Sequence, residues 1–271
     1  MNEKLDLCLW AKNGGSKLDL VLKRINQVVP KEIVNNRFVV NDHSFDSTPL
    51  SIHRNGWTQI LNEGHGISDA ANLALKNVET EWFASFEQDI LLSPFWWTKV
   101  LQLVTDKVAA ISGIRFLAQS NLCYNIERYN SIYQKGYGKT LDNTLWNTDA
   151  LHSVNGFPKM KKAGIDTYLV EKFRAKGLKW IVDYDVQSLH LHQGLLNELK
   201  RYYFYGQSLP ELYNKLSCGF DDDWSLLLKL LKSPISSLKM SLVMKDSRLM
   251  LSYPLVRLMW LMGYLREKGF D

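Results

Sequence analysis

Residues 5–16 read LDLCLWAKNGGS, an apolar strand followed by an Asn-Gly-Gly-Ser break. Apolar residues then recur with a helical period as far as Pro30, and a second short strand is predicted over residues 37–40. A strand, a helix and a second strand that ends in a polar loop form the repeating unit of a parallel sheet. This stretch therefore predicts an α/β fold with a doubly wound, mostly parallel sheet flanked by helices.

The alternation of strands and helices continues along the chain to about residue 194. Further elements are predicted as extended segments at 51–53, 58–61, 82–86, 109–116 and 180–185, as helices that begin at 64–66 and 93–94, and as a helix over 165–176. After residue 194 only helical patterns follow, at 195–205, 224–231 and 253–268. We therefore predict a sheet-containing domain over residues 1–194 and a helical, basic C-terminal extension over residues 195–271.

The composition is that of a globular protein, with 46% hydrophobic and 23% charged residues in a chain of 271, which excludes the disordered and collagen-like classes. The formal net charge is +5, but eight basic and only two acidic residues lie between residues 224 and 268. The rest of the chain is thus close to neutral, and only the helical tail favours an anionic partner. Basic and aromatic residues are not interleaved as in a nucleic-acid-binding module, so we expect no nucleic-acid partner.

Three features of the sequence indicate a cytoplasmic protein. Cys8, Cys123 and Cys218 are widely spaced and odd in number, which predicts reduced thiols rather than a disulfide framework. Charged residues near the N-terminus interrupt the apolar run that a signal peptide requires. The apolar run over 249–265 contains Arg257 and is shorter than the roughly 20 residues of a membrane-spanning helix.

The tail admits three interpretations. An apolar stripe on its last predicted helix, residues 253–268, favours packing against the sheet-containing domain. Basic residues around this stripe are also typical of a helix that lies in the plane of an anionic membrane surface, here the inner face of the cell membrane. Binding to nucleic acid is the third interpretation and the least favoured.

Two acidic loops follow predicted strands, with Asp42 after the strand at 37–40 and Asp89 after the strand at 82–86. The carboxyl ends of parallel strands meet at one edge of a sheet, where ligands collect. A carboxylate partly withdrawn from water at this position can hold a ribose hydroxyl or a divalent cation. The alternative is that each Asp only stabilises a turn or caps a helix through its own backbone hydrogen bonds.

The order of four segments resembles the successive signatures of family 2 glycosyltransferases with the GT-A fold. These segments are residues 7–13, 39–48, 62–72 and 86–89. The resemblance covers roughly residues 4–200 and implies a nucleotide-diphospho-sugar transferase. It divides the predicted domain into a nucleotide-sugar half, about residues 1–92, and an acceptor half, about residues 93–194.

The resemblance assigns roles to residues of both acidic loops. Asp42 would bind the nucleotide, although Asn41 replaces the acid that precedes it in the family motif. Asp89 would be the direct metal ligand, because Glu87-Gln88-Asp89 stands where the family has Asp-x-Asp. The other nucleotide-binding residues implied are Ala11, Lys12, Asn13, Glu87 and Gln88. An oxygen-rich site beside a nucleotide diphosphate suits Mg2+ or Mn2+.

A second metal ligand is expected after the strand at 180–185. His190 and His192 alternate, which puts both imidazoles on one face of an extended segment. From spacing alone, the pair could be a zinc site or two surface histidines. The family often has a metal- or diphosphate-binding His at this point, so the resemblance implies His192 as the ligand and His190 as the reserve.

Two departures from the family pattern affect the chemistry. Ala70-Ala71-Asn72 lacks the Arg that many relatives place near the diphosphate. Gly164-Ile165-Asp166 keeps only the second acid of the family's Gly-Glu-Asp motif, so Asp166 is implied to be the general base. From its position alone, Asp166 could instead cap the helix that follows.

The resemblance also implies an acceptor side of the pocket. The segment that ends in Asn155-Gly156-Phe157 is similar to the family segment that ends in Gly-Gly-Phe, and it implies acceptor contacts for Trp146, Asn155 and Gly156. Asn155 tolerates the left-handed backbone that the replaced Gly allows. The alternative for Trp146 is the hydrophobic core.

The ordered motifs imply an inverting, metal-dependent glycosyltransferase that moves a sugar from a UDP- or GDP-sugar to an acceptor hydroxyl or a lipid-linked acceptor, in glycan or glycolipid assembly. Two other classes stay open. A non-catalytic nucleotide-sugar-binding subunit is favoured by the missing Arg, by Ile165 and by Gln88. A nucleotidyltransferase on a similar sheet would release diphosphate instead of a nucleoside diphosphate.

Overall fold

A computed structural model describes residues 4–118, 121–134, 137–191, 194–216 and 223–269. The chain separates into two compact units. The first unit comprises Met1–Phe116, Gly136–Lys159 and Ile165–Leu191, and the second comprises Leu117–Lys135, Met160–Gly164 and His192–Asp271. The predicted domain boundary at residue 194 stays a prediction.

An eight-stranded sheet runs in the order β3-β2-β1-β4-β7-β6-β8-β5. Its strands are β1 (Leu5–Ala11), β2 (Val34–Asn41), β3 (Thr58–Leu61), β4 (Trp82–Glu87), β5 (Ile90–Leu91), β6 (Val108–Leu117), β7 (Asn143–Asn147) and β8 (Lys179–His190). The strands β3, β2, β1 and β4 pair in parallel, whereas β7 is antiparallel to both β4 and β6, and β5 is antiparallel to β8. The predicted α/β sheet is confirmed, and its second half contains antiparallel pairs at β7 and at β5.

The helices of the described residues are α1 (Gly15–Val28), α2 (Thr48–Arg54), α3 (Gly66–Lys76), α4 (Trp96–Val100), α5 (Tyr124–Tyr133), α6 (Thr148–Ser153), α7 (Ile165–Ala175), α8 (Leu195–Leu216), α9 (Asp223–Leu231), α10 (Ser233–Met244) and α11 (Leu249–Glu267). None of them is long and apolar enough to cross a membrane. The predictions of α1, α3 and α7 are confirmed, whereas α10 was not predicted.

The extended segment predicted at 51–53 is wrong, because these residues belong to α2. Pro49 lies in the first turn of this helix, where its fixed backbone angle favours the helical conformation. Thr48, Ser51 and Ile52 are buried along one helical face. The short segment was predicted as extended because it contains Ile52, which favours strands. Burial of residues at helical spacing outweighs this local β propensity.

The core of the first unit lies on both sides of β1. All seven residues of this strand are buried, which explains why they form a continuous apolar run instead of an alternating pattern. On one side, α1 contributes Leu18, Val21, Leu22 and Ile25 to the same hydrophobic cluster. This packing fixes the carboxyl end of β1, from which the next loop begins.

Trp146 belongs to this unit's core, which corrects the prediction that it contacts an acceptor. The indole is 0% exposed, and its Nε1–H donates to Ser85 Oγ at 2.8 Å. Its ring packs edge-on against Trp180, with ring centroids 4.8 Å apart. An indole enclosed on all sides stabilises the fold and offers no face to a ligand.

We expect Trp146→Ala to lower the free energy of unfolding by about 3–5 kcal/mol, the usual cost of truncating a buried aromatic residue. Phe95→Ala is the matched control, since Phe95 is 62% exposed, and it should change stability by no more than about 0.5 kcal/mol. Urea unfolding followed by tryptophan fluorescence measures both. Equal stability of the two variants would contradict the core placement.

The helical unit is organised by the close packing of α8 against α11. A Cβ atom at Gly206 would lie 2.0 Å from the Trp260 carbonyl oxygen, and one at Gly263 would lie 2.0 Å from the Tyr203 carbonyl oxygen. Only glycine permits this approach of two backbones. Arg201 is buried nearby and donates from Nη2 to Glu127 and to Glu198, at 2.7 and 2.6 Å.

Candidate active site

Hydrogen bonds tie the loop after β1 to the loop after β2. The Asn13 N–H donates to Ser44 Oγ at 2.9 Å, and the Phe45 N–H donates to Asn13 Oδ1 at 3.1 Å. Asn13 adopts a left-handed backbone with φ of 52°, which asparagine tolerates better than most residues. The side chain of Asn13 therefore holds the second loop in place, and its backbone faces the edge of the sheet.

Asp42 is buried at this junction with donors on both carboxylate oxygens. Oδ1 accepts from Asn62 Nδ2 at 2.9 Å, while Oδ2 accepts from the Gly66 N–H and from Lys12 Nζ, each at 3.2 Å. Burial opposes ionisation, but these donors and the Lys12 charge outweigh it and lower the pKa of Asp42. Asp42 is therefore a fixed anion that can accept hydrogen bonds from a ligand hydroxyl.

Gln88 links β1 to the acidic turn after β4. Its Oε1 accepts from the Lys12 N–H at 2.8 Å, and a Cβ atom at Gly14 would approach the same Oε1 to 2.9 Å. Gln88 lies between the two acids Glu87 and Asp89, and its side chain faces the backbone of the loop after β1. A neutral amide suits this position, because it joins the two loops without adding negative charge.

Two carboxylates, Asp89 and Asp166, act on a third, Glu87, at the end of β4. Burial raises the pKa of Glu87 to about 7; the Arg115 charge opposes this rise, and the charges of Asp89 and Asp166 add to it. Burial likewise raises the pKa of Asp166, against the Thr167 N–H that donates to its Oδ1 at 2.8 Å. Crowded, partly desolvated carboxylates of this kind favour a divalent cation.

Arg115 is the positive charge that the structure brings to these carboxylates. It forms an ion pair with Asp142, whose side chain is fully buried just before β7. The Glu87 N–H donates to the Asp142 carbonyl oxygen at 3.3 Å. Because β7 runs antiparallel to β4, its amino end lies at the carboxyl end of β4, and Asp142 holds Arg115 at that edge.

His190 occupies the position next to Asp89. Its Nε2 lies 3.3 Å from Asp89 Oδ2, and the side chain is 6% exposed. The Leu191 N–H also donates to the Asp89 carbonyl oxygen at 2.8 Å. The structure thus places the reserve ligand beside the predicted metal-binding carboxylate, whereas the first choice, His192, lies outside the described residues.

A second group that could hold a metal ion consists of Asp42, His43 and His65, whose ligand atoms all lie within 4.8 Å of one another. Both histidines are exposed, and His43 Nε2 lies 3.2 Å from the Gly64 carbonyl oxygen. Asp42 is already paired with Lys12. An ion at this group would have to compete with that ammonium for the carboxylate.

The turn at Asn155 and Gly156 is left-handed at both residues, with φ of 67° and 73°, as the sequence predicts for Asn155. Asn72 fastens this turn to α3, because its Oδ1 accepts from the Phe157 N–H at 3.0 Å and its Nδ2 donates to the Phe157 carbonyl oxygen at 2.8 Å. A side chain at Gly156 would collide with that Oδ1. Ala71, one residue earlier, is fully buried.

No protein-family model and no curated protein sequence matches the chain. Solved structures do match. A mannosyltransferase from Pyrobaculum calidifontis, in complex with GDP-Man and Mn2+, has a TM-score of 0.73 and 15% identity over 99% of this chain and 88% of its own. Glucosyl-3-phosphoglycerate synthase from Mycobacterium tuberculosis, in complex with Mn2+, UDP-glucose and phosphoglyceric acid, has a TM-score of 0.63 and 15% identity over 81% of each chain.

The chain has the GT-A fold. In this fold, the structure brings together most residues that the sequence singles out. Lys12, Asn13 and Asp42 meet at the ends of β1 and β2, and Gln88 joins them to the acidic turn.

The GT-A sheet also brings in residues that sequence reasoning missed. Arg115 was detectable as a charge within an otherwise apolar strand. Asp142 had no such signal, because its role depends on the antiparallel insertion of β7. The pair His43 and His65 is separated along the chain and meets only because two loops fold toward each other.

The crowded carboxylates predict a pH dependence of stability for the metal-free protein. Glu87 binds a proton more tightly in the folded chain, at a pKa of about 7 against an ordinary value of 4.5. Its contribution to the free energy of unfolding is therefore fully present below the ordinary pKa and is lost as the pH rises through about 7. We expect urea unfolding in EDTA to show that the free energy of unfolding falls more steeply between pH 4.5 and about 7 for wild type than for Glu87→Gln. Parallel profiles would contradict the assignment.

Proposed function

We propose that the protein is an inverting, metal-dependent glycosyltransferase that uses a UDP- or GDP-sugar donor. The observation that carries this proposal is the set of carboxylates Glu87, Asp89 and Asp166 at the edge of a GT-A sheet where the fixed anion Asp42 also lies. The similar mannosyltransferase was solved with GDP-Man and Mn2+, and the similar synthase with UDP-glucose and Mn2+. Those ligands support the same donor class for this chain.

On the donor side, we assign Asp42 to a hydroxyl of the nucleotide, with Ala11, Lys12 and Asn13 along the base. Ala71 lies where many relatives carry an Arg near the diphosphate, and its burial leaves no place for such a side chain. The side chain of Lys12 is 55% exposed. Its ammonium is the nearest candidate to replace the missing positive charge, once a ligand hydroxyl takes its place at Asp42.

Asp89 and His190 would hold Mg2+ or Mn2+, with Glu87 close enough to complete the charge balance. Carboxylate and imidazole donors suit these ions beside a diphosphate. The ion would stabilise the negative charge that develops on the departing nucleoside diphosphate. His192 stays a prediction as a further ligand.

Asp166 is the proposed general base. In an inverting transfer, the acceptor oxygen bonds to the anomeric carbon as the bond from that carbon to the diphosphate oxygen breaks, and the hydroxyl proton passes to a carboxylate. Asp166 lies in the first turn of α7, and the raised pKa of its carboxyl favours acceptance of a proton. The turn at Asn155 and Gly156 is proposed to border the acceptor.

The acceptor is proposed to be a glycan hydroxyl or a lipid-linked group, in glycan, glycolipid or polysaccharide assembly. A cytoplasmic enzyme attached to the inner face of the cell membrane would meet such acceptors. Support for the membrane comes from the charge of the helical tail, where basic residues outnumber acidic ones.

A non-catalytic nucleotide-sugar-binding subunit is the second candidate. The observation that favours it is the structural use of Gln88, whose Oε1 accepts a hydrogen bond from the Lys12 backbone N–H. Calorimetry with UDP- and GDP-sugars separates the two candidates. Donor binding without product, for every acceptor offered, would favour the binding subunit.

The metal assignment predicts that Mn2+ raises the melting temperature of wild type, because an ion that binds only the folded state stabilises it. Asp89→Asn should abolish this shift, and it should raise the melting temperature of the metal-free protein by relieving repulsion on Glu87. The double variant His43→Ala/His65→Ala is the control and should keep the shift. Loss of the shift in the control, with retention in Asp89→Asn, would place the ion at the other group.

The base assignment predicts that Asp166→Asn loses about 100-fold or more in turnover while donor affinity, measured by calorimetry, stays within about twofold. Since burial raises the pKa of Asp166, wild-type turnover should increase with pH through a value above the ordinary range of aspartate. This increase of turnover with pH should be absent in Asp166→Asn. Full turnover in the variant would assign the proton transfer to another group.

A further inference from the structure

Helix α10 directs its apolar side chains outward. Leu231, at the end of α9, and Ile235, Leu238 and Leu242 on α10 recur at helical spacing, so they form one stripe. Their exposed fractions are 65%, 75%, 48% and 71%. A helix that packs on a protein core normally buries such a stripe.

The opposite face of α10 buries small polar residues. Ser233 and Ser237 are 1% and 2% exposed, and their hydroxyls donate to the carbonyl oxygens of Leu230 and Pro234 at 2.6 and 2.7 Å. Because each hydroxyl is satisfied by a carbonyl oxygen three residues earlier in the chain, this face can be buried without loss of hydrogen bonds. The outward direction of the leucines is therefore built into the packing of α10.

The remaining contacts of α10 keep this orientation. Met240, on the same side as the two serines, is 2% exposed and joins a cluster with Leu249 and Val256 of α11 and Ile126 of α5. Rotation of α10 to bury its leucines would remove Met240 from this cluster. The helix thus holds its apolar stripe toward the outside at no cost to the core of its own unit.

Exposed apolar side chains also occur on the two helices that flank α10 along the chain. Leu228 of α9 is 48% exposed, and Met250 and Leu251 at the start of α11 are 52% and 66% exposed. We call this set of exposed residues, Leu228, Leu231, Ile235, Leu238, Leu242, Met250 and Leu251, the outer face. Exposed apolar surface on this scale marks an interaction site, because isolated soluble proteins rarely retain it.

Within residues 224–251, which contain the whole outer face, basic residues outnumber the single acidic one. Lys229, Lys232, Lys239 and Lys245 are all exposed. The one acid between residues 224 and 251 is Asp246, and its carboxylate already accepts from Arg248 Nε at 2.8 Å and from Asn125 Nδ2 at 2.7 Å. An apolar centre with a cationic border complements a hydrocarbon layer beneath anionic headgroups.

We propose that the outer face docks on an anionic phospholipid bilayer, with α10 lying in the plane of the membrane and its leucines inserted among the acyl chains. A second copy of the chain fits less well, because two such faces would bring their lysines together. The proposal names the membrane partner of the proposed enzyme, but its test measures binding alone. The protein could therefore bind donor and transfer sugar without binding vesicles, or bind vesicles without any transfer. The two proposals can thus fail separately.

The test is co-sedimentation of the full-length protein with vesicles of phosphatidylglycerol and phosphatidylcholine, and with vesicles of phosphatidylcholine alone. Wild type should bind the mixed vesicles about tenfold or more tightly than the neutral ones, and added salt should weaken this binding. Ile235→Ser/Leu242→Ser should reduce binding at least about tenfold. Leu196→Ser is the matched control, since Leu196 is 74% exposed on α8, and it should bind as wild type does.

Charge reversal tests the border of the face independently. Lys232→Glu/Lys239→Glu should lose the preference for mixed vesicles, while Lys176→Glu/Lys179→Glu, at exposed sites of the first unit, should keep it. Unchanged melting temperatures would establish that the variants are folded. Wild type that ignores mixed vesicles at low salt would overturn the proposal, as would equal losses in the test and control variants. A concentration-dependent dimer that only Ile235→Ser/Leu242→Ser dissolves, without vesicle binding, would assign the face to self-association.

Discussion

Repulsion among three partly desolvated carboxylates at the end of β4 is the constraint on which the proposed site depends. Glu87, Asp89 and Asp166 come from two distant parts of the chain, and the fold holds them together despite like charge. Arg115 offsets part of this charge, but its own ion pair with Asp142 limits how much it can neutralise. In the metal-free protein, the raised pKa of Glu87 lets a proton offset a further part of this charge, and a divalent cation would take over that role.

The antiparallel strand β7 makes this arrangement possible. It lies between β4 and β6, so the amino end of β7 meets the carboxyl end of β4 at one edge of the sheet. Asp142 precedes β7 and binds Arg115 of β6, while its carbonyl oxygen accepts from the Glu87 N–H. In a wholly parallel sheet, the residue before a strand would lie at the opposite edge. The antiparallel insertion thus brings a positive charge to the acidic edge without a further loop.

The sequence predicts the parallel strands β1 to β4 better than the antiparallel strand β7. Strand β1 is buried on both faces and reads as an apolar run, so its limits could be predicted correctly. Strand β7 is short and carries polar residues at both ends, and Trp146 within it could equally face a ligand or the core. Motif order predicted Asp42 and Asp89, whereas Arg115 could not be assigned, because its partner is set by strand pairing and not by spacing. Helix α10 was not predicted from the sequence. Its serines are buried and its leucines are exposed, which is the reverse of the usual amphipathic arrangement.

The formal net charge of +5 combines two regions with opposite charge, an acidic site in the first unit and a basic surface in the helical unit. In the first unit, carboxylates gather where burial makes each further negative charge costly, and such a site selects a small cation. In the helical unit, lysines border exposed leucines, and such a surface selects an extended anion with an apolar layer beneath it. The net charge of the chain does not predict either ligand, because exposed charges act almost independently beyond a Debye length of about 8 Å at physiological ionic strength. The partner of each charged region is therefore decided by what lies beside the charges, which is a set of side-chain and backbone donors at Asp42 and exposed hydrocarbon on α10.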